Sequence, residues 1–187
     1  AVFDATYYAE HNADVVSAVG SDAGALLSHF KNYGMAEGRQ AKTSFNVTSY
    51  RLQYADLRRA YGSDLKSYYM HYVNYGAKEA RSGVGCTTLQ GAAIVLNGVD
   101  YSAVYDYQYY VNKYADIKKA YGYDDLAVLQ HFVNYGMKEG RQAKSSFDVN
   151  SYRLQYADLR GAYGNDLKSY YMHYINYGRK EGRVATG

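Results

Sequence analysis

One block of sequence occurs four times in this 187-residue chain, and this repetition constrains the fold more than any other feature. The segment from His29 to Gly34 reads His-Phe-Lys-Asn-Tyr-Gly and is followed by a Glu and an Arg. Related segments begin at His71, His131 and His173, which lie 42, 102 and 144 residues further along. Self-similarity at a fixed period indicates a repeat architecture. We therefore predict four tandem copies, named copy one to copy four, which begin near Phe3, Phe45, Tyr105 and Phe147.

The spacing of the copies groups them into two pairs. The step from copy two to copy three is 60 residues instead of 42, which leaves 18 extra residues around positions 84–101. Copies two and four agree at 30 of 37 aligned positions, so the pair itself is duplicated. The predicted organisation is repeat pair one at 1–83, an insert or linker at 84–104, and repeat pair two at 105–187.

Within a copy the apolar residues have helical spacing. In copy two they stand at i, i+3, i+4, i+7 and i+8, as Leu65, Tyr68, Tyr69, Tyr72 and Val73. This pattern indicates one buried face of an amphipathic helix. Asp64 or Ser63 suits its N-cap, and Gly76 suits a left-handed residue that ends it. Because no single copy can bury its own apolar stripe, we expect neighbouring copies to complete the core of an all-α fold.

The insert has a different pattern from the copies. Its segment 92–96 is apolar, Asn97-Gly98 is the strongest short signal for a hairpin turn, and 99–104 could return as the second strand. We predict a small two-stranded hairpin here, with an ordered loop as the alternative. Cys86 is the single cysteine of the chain, which excludes an internal disulfide, and we interpret it as an incidental thiol.

Charge and hydropathy exclude several classes of partner. The net charge is +3 with both signs interspersed, unlike the clustered Lys/Arg stripe that nucleic-acid binding requires. No apolar run approaches 18 residues, so no membrane insertion is expected. The one histidine that recurs in each copy lies 42 or more residues from the next, far from the i, i+4 spacing of helical metal ligands. We expect these histidines to be packed imidazoles that bond to the next turn or to a neighbouring copy, and we expect no metal and no cofactor.

The recurring carboxylates allow two interpretations. Glu37 and Asp14, with their counterparts in the other copies, could be paired carboxylates for glycoside cleavage. However, Arg39 follows Glu37 by two residues, as an arginine does in every copy, and Arg favours fork-like bonds to carboxylates. A structural ion pair is useful in every copy of a repeat, whereas enzymes rarely carry four copies of one active site on one chain. We therefore expect a structural Glu/Arg/Asp ion-pair cluster that closes each copy, no catalytic residue and no enzymatic activity.

Tyrosine is the unusual component of this sequence, with 26 residues in 187. Its large, stiff side chain is common on binding surfaces. Most of the tyrosines replace Leu or Phe of other copies and are assigned to the core. A smaller set stands where the other copies have small or polar residues, or lies in the insert. These candidate ligand-binding residues are Tyr7, Tyr101, Tyr107, Tyr109 and Tyr123.

The repeat resembles a known tandem module. Copy two carries the pattern Tyr50-x3-Tyr54-Ala55-Asp56-Leu57, then Leu65, His71-Tyr72 and Gly76-x2-Glu79-x-Arg81. This pattern is similar to a Tyr-rich helical repeat of secreted and cell-wall proteins of bacteria, especially gut commensals. Many members have Pro before the Asp, where this chain has alanine at Ala13, Ala55, Ala115 and Ala157. The break between the first two helices is therefore expected to be softer here.

The resemblance implies a function that the residues alone do not. Some similar surface proteins bind immunoglobulin variable domains outside the antigen site, as B-cell superantigens do. It thus implies an extracellular bacterial protein, secreted or cell-wall-attached, with a host immunoglobulin variable domain as partner. Because the sequence begins in the middle of a pattern and without Met, we expect the chain to be a piece of a longer protein. Duplicated copies suit such a role, because two weak sites on one chain gain avidity. Binding of a glycan or cell wall, with tyrosine faces stacked on sugar rings, is the alternative, and a structural spacer is a third.

Overall fold

The structure, a computed structural model, describes residues 1–187. It is predominantly helical and contains one small antiparallel sheet of two strands. The helical class and the small β-element are therefore confirmed. No helix combines the length and the apolar character that crossing a membrane requires.

Each sequence copy contains three α-helices of seven residues, which we call its first, second and third helix, and the third continues into a π-helical turn. In copies one and two the helices and turns are Ala5–His11, Ala13–Val19, Ala23–His29, Phe30–Gly34 with a short α-helix Met35–Glu37, then Val47–Gln53, Ala55–Tyr61, Leu65–His71 and Tyr72–Gly76. In copies three and four they are Tyr107–Lys113, Ala115–Tyr121, Asp125–His131, Phe132–Gly136, Val149–Gln155, Ala157–Tyr163, Leu167–His173 and Tyr174–Gly178.

Local sequence sets the ends of these helices. Asp64 is the N-cap of the third helix of copy two, as predicted, and its carboxylate accepts from the Ser67 amide and, at 2.6 Å, from the Ser67 hydroxyl. Gly62 ends the second helix with φ of 53°, a conformation that glycine adopts at little cost. Between the first two helices only Tyr54 is extended, so the helices are separate although Ala55 stands where proline would break them.

The predicted left-handed conformation of Gly76 is wrong. Gly76 lies inside the π-helical turn and is not among the residues with positive φ. A glycine is required there for another reason, because a Cβ atom on it would lie 2.3 Å from the hydroxyl oxygen of Tyr50. The left-handed residue comes four positions later, at Ala80, with φ of 56°. The other copies have glycine at that position, with φ between 68° and 74°.

Ala80→Gly is expected to raise the free energy of unfolding by about 1 kcal/mol, because the left-handed region is strained for a residue with a Cβ atom. Thermal and urea unfolding would measure the change. Gly182→Ala is the matched control, since Gly182 has φ of 68° and an added Cβ atom would meet no other atom within 4 Å. It should lose a similar amount, and equal stability of all three proteins would contradict the strain at Ala80.

The chain divides into two compact units, unit one at Ala1–Gly91 and unit two at Ala92–Gly187. The insert 84–104 is thus shared between them and does not form a body of its own. Within unit one, Tyr69 of copy two joins the core of copy one: its ring lies 5.4 Å from that of Phe30, and its hydroxyl donates to the Arg39 carbonyl at 2.9 Å. Tyr171 repeats these contacts in unit two, with Phe132 and the Arg141 carbonyl.

The hairpin of unit two consists of Val95–Leu96 paired with Val99–Asp100. Positive φ values of 50° at Asn97 and 78° at Gly98 form its turn, as the Asn-Gly signal predicts, although the strands are shorter than predicted. The segment before it is anchored where the Ala93 amide donates to Asp125 Oδ2 at 2.7 Å, at the start of the third helix of copy three. Further along that helix Leu129 is fully buried, whereas its counterpart in copy one, Leu27, is 40% exposed. The same position of the repeat is therefore buried in copy three and partly exposed in copy one.

Candidate functional site

The repeated histidine of each copy is held by a buried tyrosine of the first helix of the same copy. With the imidazole proton on Nε2, the tyrosine hydroxyl donates to the histidine Nδ1 atom. The oxygen–nitrogen distances are 3.0 Å for Tyr8–His29, 3.0 Å for Tyr50–His71, 3.2 Å for Tyr110–His131 and 2.9 Å for Tyr152–His173. The imidazoles are packed, as expected, but their partner belongs neither to the next turn nor to a neighbouring copy. Burial raises the pKa of each of these four phenols above its ordinary value.

A second tyrosine lies against the outer side of each histidine and is open to solvent. It comes from the Asn-Tyr-Gly sequence in the π-helical turn, and its side chain is 59% to 60% exposed in every copy. Its ring centroid lies between 5.5 Å and 5.7 Å from that of the histidine. We call these residues the exposed tyrosines: Tyr33, Tyr75, Tyr135 and Tyr177. Since they are so exposed, packing does not explain why all four copies carry them.

Copies two, three and four have a further ring beside the histidine. Tyr61, at the end of the second helix, is half-buried, and its centroid lies 6.1 Å from that of His71. Tyr121 and Tyr163 lie 5.6 Å and 6.0 Å from their histidines. Copy one has Val19 at this position. In three copies, therefore, the histidine contacts two tyrosines that reach solvent.

The predicted Glu/Arg/Asp contacts are present in all four copies. In copy three, Arg141 donates to Asp116 at 2.8 Å and to Glu139 at 2.5 Å, and its guanidinium lies 4.9 Å from the ring centroid of Tyr114. The hydrogen bond from Arg141 holds the pKa of Asp116 below its ordinary value. These contacts tie the second helix to the end of the copy, which fits the structural role of these carboxylates.

Two of the five candidate tyrosines predicted from the sequence are in the core. Tyr101 and Tyr107 are each 5% exposed. The hydroxyl of Tyr107 donates to the carbonyl oxygen of Gly122 at 3.0 Å, so this side chain closes the end of the second helix of copy three. Tyr101 lies next to the hairpin, and its burial raises the pKa of its phenol. Their assignment to a contact surface is therefore wrong.

The other three candidates reach solvent to different extents. Tyr7 is half-buried and stacks on the ring of His11 at 3.9 Å. Tyr109 is half-buried, with the Lys113 ammonium 5.4 Å from its ring centroid. Tyr123 is 40% exposed. Tyr7 belongs to unit one and the other two to unit two, and all three remain candidates for contact.

The exposed tyrosines were not predicted from the sequence, because the candidate residues were chosen by differences between copies. The signal of the exposed tyrosines is instead a combination of identity and position. Tyr75 follows Leu65 by ten residues, outside the i, i+3, i+4, i+7 stripe, yet tyrosine stands at this place in all four copies. A repeated aromatic residue that is off the buried stripe of its helix indicates a surface role.

His131 is expected to make the stability of unit two depend on pH. Its pKa lies below the ordinary value of 6.5 because the imidazole is buried and because Arg141 is near, while Glu139 and Asp116 act in the opposite sense. The unfolded chain therefore binds this proton more readily, so the stabilisation is present above pH 6.5 and is lost as the pH falls toward the folded pKa.

An NMR titration of the His131 ring and urea unfolding at several pH values would measure this effect. His131→Gln, which keeps an acceptor for the Tyr110 hydroxyl, should remove the part of the pH dependence that belongs to His131. Titration of His131 above 6.5 would contradict the expected direction.

Comparison with known proteins identifies no relative: no protein-family model, curated protein or solved structure matches the chain. No group of three or more His, Cys, Asp or Glu side chains is placed to hold a metal ion. In every copy an exposed tyrosine lies beside a histidine that a buried tyrosine holds in place.

Proposed function

We propose that the chain is a non-enzymatic binding module of a secreted or cell-wall-attached bacterial protein, made of four tandem copies of one helical unit in two pairs. Its exposed tyrosines bind a host protein. The observation that carries this proposal is the presence, in every copy, of one tyrosine that is 59% to 60% exposed and rests on a histidine.

The surroundings of these rings favour binding. Tyrosine buries a large area at low entropic cost because it has only two rotatable side-chain bonds. In copy two, His71 lies beside Tyr75 and is itself fixed by the Tyr50 hydroxyl, so the exposed ring packs against a rigid support. Less freedom is then lost on association than for a ring on a mobile loop. Repetition along the chain adds avidity against a bivalent or clustered target.

The proposed partner is an immunoglobulin variable domain. This choice is supported by the resemblance of the repeat to modules of commensal surface proteins, some of which act as B-cell superantigens. The exposed tyrosines are compatible with it, since tyrosine is enriched at protein interfaces. Tyr7, Tyr109 and Tyr123 are proposed as additional contacts on the same grounds of exposure.

A glycan or cell-wall polymer is the second candidate, and it is favoured by the rings around the histidine. In copies two to four, two tyrosines lie beside the same imidazole: the one that ends the second helix and the exposed tyrosine. Around His71, for example, the ring centroids of Tyr61 and Tyr75 lie 6.1 Å and 5.7 Å from that of the imidazole. Such neighbouring aromatic faces suit stacking on sugar rings. A chain that binds neither class would be a structural spacer.

Replacing all four exposed tyrosines by serine is expected to reduce partner binding at least tenfold, about 1.4 kcal/mol, while the melting temperature changes little. Surface plasmon resonance against immunoglobulin Fab fragments and against purified wall polysaccharide would measure it. The matched control changes the exposed asparagine that precedes each of these tyrosines to serine: Asn32, Asn74, Asn134 and Asn176.

The outcomes distinguish the candidates. Loss of Fab binding in the tyrosine variant but not in the asparagine variant supports the proposal. Retention of wild-type Fab binding by a folded tyrosine variant contradicts it. If the variant loses only polysaccharide binding, the exposed tyrosines form a glycan-binding surface instead. Changing Tyr7 and Tyr109 to the serine found in copies two and four tests their smaller contribution in the same assay.

A further inference from the structure

The imidazole beside each exposed tyrosine is held in one tautomer. In copy two the buried hydroxyl of Tyr50 has a single hydrogen-bond partner, the Nδ1 atom of His71 at 3.0 Å. If Nδ1 carried the ring proton, the hydroxyl would accept from it, and the hydroxyl's own proton would be buried without an acceptor. Such a group loses its bond to water and gains nothing in return. The hydroxyl therefore donates to Nδ1, and the imidazole carries its proton on Nε2.

The Nε2 side of the same ring is accessible. In every copy the Nε2 atom of the repeated histidine bonds to no group of the protein, and it is not among the fully buried polar atoms. Each of these histidines is half-buried. The ring thus has one nitrogen fixed in the protein and one N–H donor that reaches solvent.

This donor lies among the tyrosines of the proposed binding surface. In copy three the ring centroids of the exposed Tyr135 and the half-buried Tyr121 each lie 5.6 Å from that of His131. Copies two and four have the same two rings beside their histidines, whereas copy one lacks the second ring because it has Val19 there. A partner that covers the exposed ring therefore also covers the imidazole N–H.

A covered donor constrains the partner. The N–H is hydrated in the free protein, and a partner that displaces this water without supplying an acceptor loses affinity. A site with a polar group that must be paired discriminates strongly against ligands that lack the pairing atom. The tyrosines thus supply contact area, and the imidazole sets which groups of a partner can lie against them.

The surrounding charges favour a neutral acceptor. Besides burial, the groups that shift the pKa of His131 are Arg141, Glu139 and Asp116. They are one cation and two carboxylates, so they provide no excess of positive charge to attract an anionic acceptor. Both carboxylates bind Arg141, at 2.5 Å and 2.8 Å, and are less available to accept from the hydroxyl groups of a sugar. The carbonyl oxygen of a peptide group is a neutral acceptor with no proton to place.

We propose that the Nε2–H groups of His71, His131 and His173 each donate a hydrogen bond to a main-chain carbonyl oxygen of a bound polypeptide, beside the two tyrosines of the copy. This inference rests on the proposed function, because it takes the exposed tyrosines as the contact surface. It adds that these surfaces recognise a peptide group and not only an apolar area. The buried tyrosine of each copy is then a positioning residue, because it fixes the tautomer that donates.

The test uses the full chain with isotope-labelled histidine, an immunoglobulin Fab fragment and purified wall polysaccharide. In the free chain, nitrogen chemical shifts should place the proton of each repeated imidazole on Nε2. At saturation with Fab, the Nε2–H signals of His71, His131 and His173 should move downfield and exchange with water about tenfold more slowly. A crystal structure of the complex identifies the acceptor atom.

Tyr152→Phe tests the positioning role within one molecule. This change keeps the ring but removes the hydroxyl that donates to His173, so His173 should show a mixture of tautomers and weaker protection by Fab. His71 and His131 are the matched controls, since their own tyrosines are unchanged. An unaltered tautomer at His173 would show that Tyr152 does not fix it.

The outcomes separate this inference from the proposed function. Replacing the three histidines by phenylalanine should weaken Fab binding about tenfold, and the measurements on the unaltered chain decide the question if that variant does not fold. Fab binding with unprotected Nε2–H groups, a ring proton on Nδ1, or a carboxylate as the acceptor would overturn the inference and leave the proposed function standing. Protection by polysaccharide alone would assign the acceptor to a sugar and overturn the peptide carbonyl. Binding of neither probe would refute both proposals.

Discussion

Gly178→Ala is expected to destabilise unit two by about 3 kcal/mol, the combined cost of overpacking a tight contact and losing a buried hydrogen bond. A Cβ atom on Gly178 would lie 2.2 Å from the hydroxyl oxygen of Tyr152, which is fully buried. That hydroxyl is also the partner of His173 Nδ1, at 2.9 Å, so any displacement breaks the bond. Urea unfolding followed by circular dichroism would measure the loss.

The clash can be tested with a compensating change. Tyr152→Phe alone should cost about 1 kcal/mol for the lost hydrogen bond. Combined with Gly178→Ala it should recover part of the stability, because the atom nearest to the new methyl group is gone. The double variant is then more stable than the sum of the single changes predicts.

Gly161→Ala is the matched control for this experiment. Gly161 lies inside the helix Ala157–Tyr163 and has no atom within 4 Å of an added Cβ atom. Alanine is favoured over glycine in a helix interior, so this change should stabilise the chain by about 0.5 to 1 kcal/mol. If Gly178→Ala also stabilised the chain, the close approach of Tyr152 would be disproved.

Tyr69→Ala is expected to cost about 3 to 5 kcal/mol, the range for removing a large aromatic side chain from a core. Tyr69 is fully buried between copies one and two, with ring contacts to Phe30 and Phe45 at 5.4 Å and 5.2 Å. Its removal leaves a cavity in the core that the two copies of unit one share. We expect amide hydrogen exchange to accelerate throughout both copies.

Two further variants show which part of Tyr69 matters. Tyr69→Phe removes only the bond to the Arg39 carbonyl and should cost about 1 kcal/mol. Tyr75→Ala removes a tyrosine that is 59% exposed and should change stability by less than about 0.5 kcal/mol. A Tyr69→Ala protein as stable as Tyr75→Ala would show that the copies do not share a core.

The sequence predicts those parts of the fold that depend on local pattern. The spacing of Leu65, Tyr68 and Tyr69 predicts the third helix, with Asp64 or Ser63 as its N-cap, and Asn97-Gly98 predicts the hairpin. The helix is present with Asp64 as its cap, and so is the hairpin. Gly76 shows the limit of such reasoning. A glycine has two physical uses, positive φ and close approach, and only the position of the Tyr50 hydroxyl decides between them.

The candidate site was less predictable because exposure depends on what packs nearby. Tyr107 replaces a valine or alanine of other copies, which suggested a surface role, but its hydroxyl bonds to Gly122 and the side chain is buried. Tyr75 is a tyrosine in every copy, so differences between copies do not single it out, and it is 59% exposed. The burial of each ring depends on which groups the fold brings beside it.

The tyrosine that joins the two copies of each pair bears on how such a protein can evolve. Each pair is held together by a buried tyrosine of its second copy, Tyr69 in unit one and Tyr171 in unit two. A break within a pair would expose that side chain, whereas duplication of a whole pair keeps it buried. The pair, and not the single copy, is therefore the expected unit of duplication and recombination.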